Sequence, residues 1–146
     1  MLNMEKDVKK ALSLLESEGY RCVLCRGDEV ITLRERGVAP LLLLLDSCRD
    51  VSEFCAADKV VGRAAAYLYV LLGTKRVHAL VMSEAASEVF ERFGITYSYG
   101  ELVPKILNRA GDGFCPMESA VLDVTEPKEA YRRVKETLSR IMEKNK

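Results

Sequence analysis

The sequence predicts an α/β fold in one domain of residues 1–146, with its core within 21–125. Strand-like residues 75–82 and 95–99 flank a segment of helical periodicity at 84–92. A strand, a helix and a strand in succession form a right-handed crossover between parallel strands. A chain of 146 residues also suits a single hydrophobic core.

The N-terminal part contains a helix followed by a β-hairpin. Residues 4–18 repeat apolar side chains at helical spacing, and Gly19 stops the helix. Two strand-like segments, 21–25 and 30–33, enclose a turn that contains Gly27, which predicts the hairpin.

Helices occupy most of the remaining chain. Pro40 opens a short buried helix, and a final helix is predicted over residues 126–142. Between them, residues 57–73 are apolar almost all round beyond the first turn, so we expect a central helix that is buried on most sides. Asp58 is predicted to be its N-cap, and Gly73 its C-terminal stop.

Composition excludes several classes of protein. The 22 basic and 22 acidic side chains cancel, whereas nucleic-acid binders carry a basic surplus. The longest apolar run, residues 41–45, is far shorter than the ~20 residues of a membrane span. The first residues lack a targeting pattern, and the five scattered cysteines do not form a disulfide framework. We expect a cytoplasmic protein without nucleic-acid or membrane partners.

Two groups of residues resemble a known family. The first is the string from Ala57 to Ala65, ADKVVGRAA, and the second comprises Asn108-Arg109, Gly111, Gly113 and Cys115-Pro116-Met117-Glu118. With these motifs the chain resembles the family of the domain of unknown function 1893, over residues 23–131. The resemblance implies a cytidine deaminase-like fold, which is a three-layer α/β/α arrangement with a mixed sheet, and no established activity.

The zinc site of true deaminases is missing from the expected positions. Those enzymes place a His or Cys ligand with a Glu at the start of one helix, and a Pro-Cys-x-x-Cys pair at the next. Here the two helices begin with Ala57-Asp58-Lys59 and Ser83-Glu84-Ala85-Ala86. We therefore expect neither zinc nor deaminase chemistry, unless Cys55 recruits ligands from elsewhere.

Asp58, Lys59, Gly62 and Arg63 are the first candidate site. Asp58 alone is explained by capping, because caps are common at helix starts. In the functional interpretation Gly62 lets a ligand approach, while Lys59 and Arg63 supply charge for a phosphate at the helix N-terminus.

Cys115 is the second candidate, because Pro116 begins a helix beside it. A thiol near free helix N–H groups is more reactive than an ordinary thiol. The alternative is a small buried residue at a cap, with Glu118 completing the helix start. His78, the single histidine, is interpreted as a core or interface residue rather than a catalytic base.

The third candidate is the loop that holds Asn108, Arg109, Gly111 and Gly113. Its amide, guanidinium and glycines can wrap a polar ligand, although a surface turn also uses glycine. Cys22 and Cys25 are not expected to share a metal, because their spacing in a strand directs them to opposite faces.

The leading hypothesis is a protein that binds a nucleotide or a nucleotide-derived small molecule without zinc-deaminase chemistry. One wall of the site would hold Asp58, Lys59, Gly62 and Arg63. The other would hold Asn108, Arg109 and the segment from Gly111 through Gly113 and Pro116 to Glu118, since ligands gather where helix N-termini and strand ends converge. A bound nucleotide is the one cofactor considered.

Two alternatives stay open. The first is a transferase or hydrolase that acts on a nucleotide-like substrate and depends on Cys115 or Asp58. The second is a non-catalytic regulatory or structural subunit, and homo-oligomerisation is compatible with each of these hypotheses.

Overall fold

The computed structural model describes residues 4–35, 37–107, 111, 113 and 115–144. This part of the chain folds into helices and strands, with two strands in succession after the first helix and two helices in succession at the end. They are α1 (Met4–Glu18), β1 (Cys22–Arg26), β2 (Glu29–Leu33), α2 (Ala39–Asp46), β3 (Cys55–Val61), α3 (Arg63–Leu72), β4 (Arg76–Ser83), α4 (Glu84–Phe93), β5 (Thr96–Val103), α5 (Pro116–Ala120) and α6 (Pro127–Lys144).

The five strands form one mixed sheet in the order β2-β1-β3-β4-β5. The β1 strand pairs antiparallel with both β2 and β3, whereas β3, β4 and β5 run parallel. Helix α1 covers one face of the sheet, and α2, α3 and α4 pack on the other. The predicted α/β class with helices on both faces of a mixed sheet is confirmed. The closer likeness to cytidine deaminases stays a prediction.

Helix α1 buries one stripe of side chains against the sheet, as its periodicity predicts. Ala11 and Leu15 are fully buried and pack with Val23, Cys25 and Ala57 on that face. The amphipathic pattern therefore specifies both the helix and the surface that it covers.

Of the helices in the described part of the chain, α3 is the most deeply buried. Tyr67, Leu68 and Tyr69 are all fully buried, although they point in different directions around the helix. The reason is that α3 lies between the sheet and α6, whose Ala130 and Val134 belong to the same core. Burial of this helix on most sides, as predicted, is confirmed.

The predicted start of the central helix is wrong. Residues 57–61 belong to β3, and the helix begins only at Arg63, with Gly62 at its N-cap. Asp58 therefore lies within a strand and is not a helix cap. The β3 strand pairs with β1 on one side and β4 on the other, so backbone hydrogen bonds on both edges outweigh the local helical pattern.

Other element boundaries differ slightly from the predictions. The strand predicted at 95–99 runs to Val103, and the final helix is Pro127–Lys144 rather than 126–142. Gly73, with φ +75°, ends the central helix in the left-handed conformation, as predicted. Within the described residues, no helix has both the length and the apolar composition that a membrane span requires.

Candidate functional site

A cavity of about 370 Å³ lies where β3 passes into α3. Its walls come from the β1–β2 side of the sheet, from α2, and from the segment around α5. The lining residues are Arg21, Cys22, Leu33, Glu35, Gly37, Val38, Pro40, Leu41, Asp58, Val60, Gly62, Ala64, Ala65, Ile106, Leu107, Cys115, Met117 and Glu118.

Asp58 supplies a carboxylate to this cavity from the middle of the sheet. Its Oδ2 accepts a hydrogen bond of 2.6 Å from the Tyr69 hydroxyl, which lies 3.1 Å from the Cys22 Sγ. Cys22 is also the cross-strand partner of Asp58. Because the single Tyr69 proton is donated to the ionised Asp58, the Cys22 thiol donates in turn to the Tyr69 oxygen.

The surroundings of Asp58 disfavour its charge. Burial raises the pKa of this carboxyl to about 6, although the Tyr69 hydrogen bond, backbone N–H groups and the charge of Arg21 act in the opposite direction. Burial likewise raises the pKa of the Cys22 thiol well above its ordinary value. Near neutral pH, Asp58 can therefore accept or release a proton, whereas Cys22 remains a thiol.

Glu118 occupies the N-terminus of α3. Its Oε1 accepts a hydrogen bond of 2.6 Å from the Arg63 N–H, and its Oε2 accepts one of 2.8 Å from the Ala64 N–H. Glu118 is 7% exposed, and burial raises the pKa of its carboxyl while the two N–H donors lower it. Glu118 thus caps a helix that begins 55 residues earlier in the chain.

Gly62 is required by this cap. A Cβ at position 62 would lie 2.5 Å from the Glu118 Cδ, closer than side chains approach one another. The Gly62 backbone is extended, with φ −101° and ψ −174°, so the need for glycine comes from the carboxylate and not from the backbone conformation. Gly62 and Glu118 belong to the two separate motifs on which the family resemblance rests, so this contact joins the two motifs.

The two basic residues of the predicted phosphate site do not line the cavity. The Arg63 guanidinium donates a 2.7 Å hydrogen bond to the Val124 carbonyl and lies beside the Tyr67 ring, so it joins α3 to the segment before α6. Lys59 is also absent from the cavity lining. The structure therefore brings together Asp58 and Gly62 but not their cationic neighbours.

Only some residues of the second predicted wall line the cavity. Cys115 and Glu118 line the cavity, whereas Gly111, Gly113 and Pro116 do not. Cys115 is the N-cap residue of the short helix α5, and its side chain makes no capping hydrogen bond. Two of the predicted ligand-binding residues, Asn108 and Arg109, lie outside the described residues.

Two further sequence expectations concern His78 and the pair Cys22 and Cys25, of which only Cys22 lines the cavity. The His78 Nδ1 is 2.7 Å from the Ser98 Oγ on β5, as expected for a histidine with a structural partner. Cys22 and Cys25 face opposite sides of the sheet, as predicted. Across the described residues, no three His, Cys, Asp or Glu side chains are grouped so that they could hold a metal ion. The absence of bound zinc stays a prediction.

Among the polar residues in or beside the cavity, sequence reasoning missed four. Arg21, Cys22 and Glu35 line it, and Tyr69 holds Asp58 from below. A signal existed for Tyr69, since a tyrosine on a helix that is buried all round must find a partner for its hydroxyl. The other three residues flank or belong to the hairpin, and their sequence positions give no indication of what lies across the sheet.

A second, more open depression of about 570 Å³ adjoins the cavity between β2 and α2. It shares Leu33, Glu35 and Pro40 with the cavity and continues over Leu43, which is 66% exposed. Its lining contains neither Asp58 nor Glu118. The cavity is therefore the better candidate site, because the buried Glu118 and the partly buried Asp58 both line it.

The environments of the five cysteines predict two classes of thiol. Cys22, Cys25 and Cys55 are buried, and burial raises the pKa of each, to about 11 for Cys55. Cys48 is exposed and Cys115 partly exposed. Because the thiolate is the reactive form, we expect two thiols of the folded protein to react rapidly with Ellman's reagent and three only after unfolding.

Single Cys48→Ser and Cys115→Ser variants provide the control, since each should remove one rapid equivalent. Rapid reaction of a third thiol before unfolding would contradict the arrangement of these side chains.

Comparisons with known proteins identify similar chains. The family model described as Domain of unknown function (DUF1893) matches residues 10–138. The crystal structure of a DUF1893 family protein from Thermotoga maritima is similar over 93% of this chain and 90% of its own, with 27% sequence identity and a TM-score of 0.82. Among curated proteins, no significant match was found.

Proposed function

Because this chain belongs to the DUF1893 family, which provides no activity to transfer, we propose a function from its cavity: it binds a nucleotide-derived small molecule, with Asp58 as the polar anchor. One observation carries the proposal. A carboxylate with a pKa of about 6 is held by Tyr69 at the wall of a cavity.

The charge of Asp58 is costly to the fold. Asparagine has nearly the same shape and could accept the same Tyr69 hydrogen bond without placing a charge in a buried setting. Carboxylates whose environment raises their pKa are concentrated at binding and catalytic sites. The presence of aspartate rather than asparagine therefore supports a role in recognition.

The size and lining of the cavity suit a heterocyclic ligand. Its volume of about 370 Å³ falls within the ~300–1,000 Å³ typical of small-molecule pockets. Apolar side chains such as Leu41, Val60 and Met117 offer contacts for a flat ring, and a few polar groups would fix its orientation. A nucleobase combines such a ring with edge groups that hydrogen-bond to a carboxylate.

The proposal is tested by thermal unfolding of wild type, Asp58→Asn and Asp7→Asn with a panel of nucleobases, nucleosides and nucleotides. Asp7 is the control, because it is a buried aspartate that lies on α1, outside the cavity. A ligand at one hundred times its Kd stabilises by about 2.7 kcal/mol, which corresponds to a midpoint shift of about 5–10 °C. We expect this shift in wild type and Asp7→Asn, and its loss in Asp58→Asn.

Two outcomes would contradict the proposal. One is the absence of stabilisation by any compound of the panel, which would favour a structural or regulatory subunit. The other is equal stabilisation of wild type and Asp58→Asn, which would place the binding site elsewhere.

A second candidate function is favoured by Cys115. It lines the same cavity as Asp58, so a nucleophile and an acid–base group face one space. A pKa of about 6 also suits proton transfer near neutral pH. A transferase or hydrolase that acts on the bound molecule would use this pair.

Alkylation of Cys115 distinguishes binding from catalysis. A ligand in the cavity should slow alkylation of Cys115 but not of Cys48, which lies outside the cavity lining. Product formation that disappears in Cys115→Ser would establish the enzyme, whereas protection without product supports binding alone.

A further inference from the structure

The N-terminus of α3 already holds an anion of the protein itself. Helix N-termini attract phosphate because their free N–H groups and dipole favour negative charge. Here the first two N–H groups, of Arg63 and Ala64, donate to the two oxygens of the buried Glu118 carboxylate. A ligand phosphate would have to displace Glu118 to reach them.

The described residues of the cavity are acidic on balance. Glu35, Asp58 and Glu118 line it as carboxylates, and Arg21 is the basic residue of the described lining, which leaves an excess of two negative groups. Arg21 acts on Asp58, where its charge lowers the carboxyl pKa. The Arg63 guanidinium, which sequence reasoning assigned to a phosphate, is engaged by the Val124 carbonyl.

From these contacts we propose that the cavity selects a base or nucleoside over the corresponding nucleotide, with Glu118 taking the place that a phosphate would occupy. The inference rests on the proposed function. Asp58 is then the specificity-determining residue. It recognises adjacent N–H and amino donors of the kind found on the edge of an aminopyrimidine or aminopurine.

The chemistry of Asp58 agrees with such a ligand. An ionised carboxylate only accepts hydrogen bonds, so its complement is a group that presents donors. A pair of neighbouring N–H donors can engage both carboxylate oxygens, which is the strong bidentate form of this contact. A phosphate, by contrast, would add negative charge to a cavity whose described lining already holds three carboxylates, at a cost that grows as solvent is excluded.

The test measures the Kd of cytidine, adenosine and guanosine, and of their 5′-monophosphates, by calorimetry at pH 7.5. We expect each monophosphate to bind more weakly than its nucleoside, by up to about tenfold. In Glu118→Gln, which removes the charge but keeps the shape, the disadvantage of the monophosphate should shrink several-fold. Glu35→Gln, which leaves the α3 N-terminus intact, is the control and should change the ratio less.

Each outcome decides the inference. A monophosphate that binds as tightly as its nucleoside, or more tightly, would overturn it and leave the proposed function standing. An unchanged ratio in a folded Glu118→Gln would overturn the role of Glu118. If the variant does not fold, the wild-type ratio alone decides. Failure of every compound to bind would instead contradict the proposed function.

Discussion

Replacing Gly62 with alanine is expected to lower the free energy of unfolding by about 3 kcal/mol, or about 10 °C in Tm. The added Cβ would lie 2.5 Å from the Glu118 Cδ, so the carboxylate must move away from the α3 N-terminus. Its departure leaves the buried Ala64 N–H without its acceptor. Urea unfolding of wild type and variant measures the loss.

A double-mutant cycle separates this contact from any general effect at position 62. Glu118→Ala alone should also be strongly destabilising, because two helix N–H groups lose their acceptor. Adding Gly62→Ala to Glu118→Ala should then cost less than about 1 kcal/mol, because the clash has gone. Additive losses would mean that Gly62 and Glu118 do not act through each other.

The second large effect is a dependence of stability on pH that Asp58→Asn removes. The carboxyl has a pKa of about 6 in the folded protein, against about 3.9 in an unfolded chain. Between these values the folded state holds the proton more tightly, so this contribution is fully present below pH ~4 and is lost as pH rises through ~6. Two units of pKa correspond to about 3 kcal/mol.

Unfolding of wild type and Asp58→Asn at pH 4 and pH 7.5 measures this contribution. Relative to wild type, the asparagine variant should gain about 2–3 kcal/mol between the two values of pH. Glu118, whose pKa burial also raises, is present in both proteins, so its effect cancels in the difference. If the stability difference between the two proteins is the same at pH 4 and pH 7.5, the pKa of Asp58 is not raised in the folded state.

Local signals predict the outer elements of this fold well. Helix α1 follows from its amphipathic stripe, and α4 from Ser83, which caps the Ala86 N–H, and from Gly94, which ends the helix with φ +72°. The sequence wrongly predicts a helix at residues 57–61, because a strand that is buried between two neighbouring strands lacks the alternating apolar pattern that would identify it. The strand conformation of these residues results from pairing with β1 and β4, and the local sequence contains no information about that pairing.

The candidate site is only partly predictable from the sequence, because it too depends on contacts between distant segments. Asp58, Gly62, Cys115 and Glu118 were identified from the sequence, and the structure lines one cavity with all four. Their roles depend on contacts between distant segments. The sequence suggests a phosphate site at the α3 N-terminus, whereas the fold brings in Glu118 from 55 residues away to fill it.

Asp58 is proposed to anchor a base-bearing ligand in the cavity that residues of α2 and α5 help to line. A crystal structure of the protein with the tightest-binding nucleoside tests it most directly. We expect the base to lie in the cavity, with its ring N–H and amino groups within hydrogen-bond distance of the Asp58 carboxylate. Glu118 should still accept hydrogen bonds from the N–H groups of Arg63 and Ala64. A nucleoside bound instead in the depression over Leu43, or seated with no contact to Asp58, would contradict it.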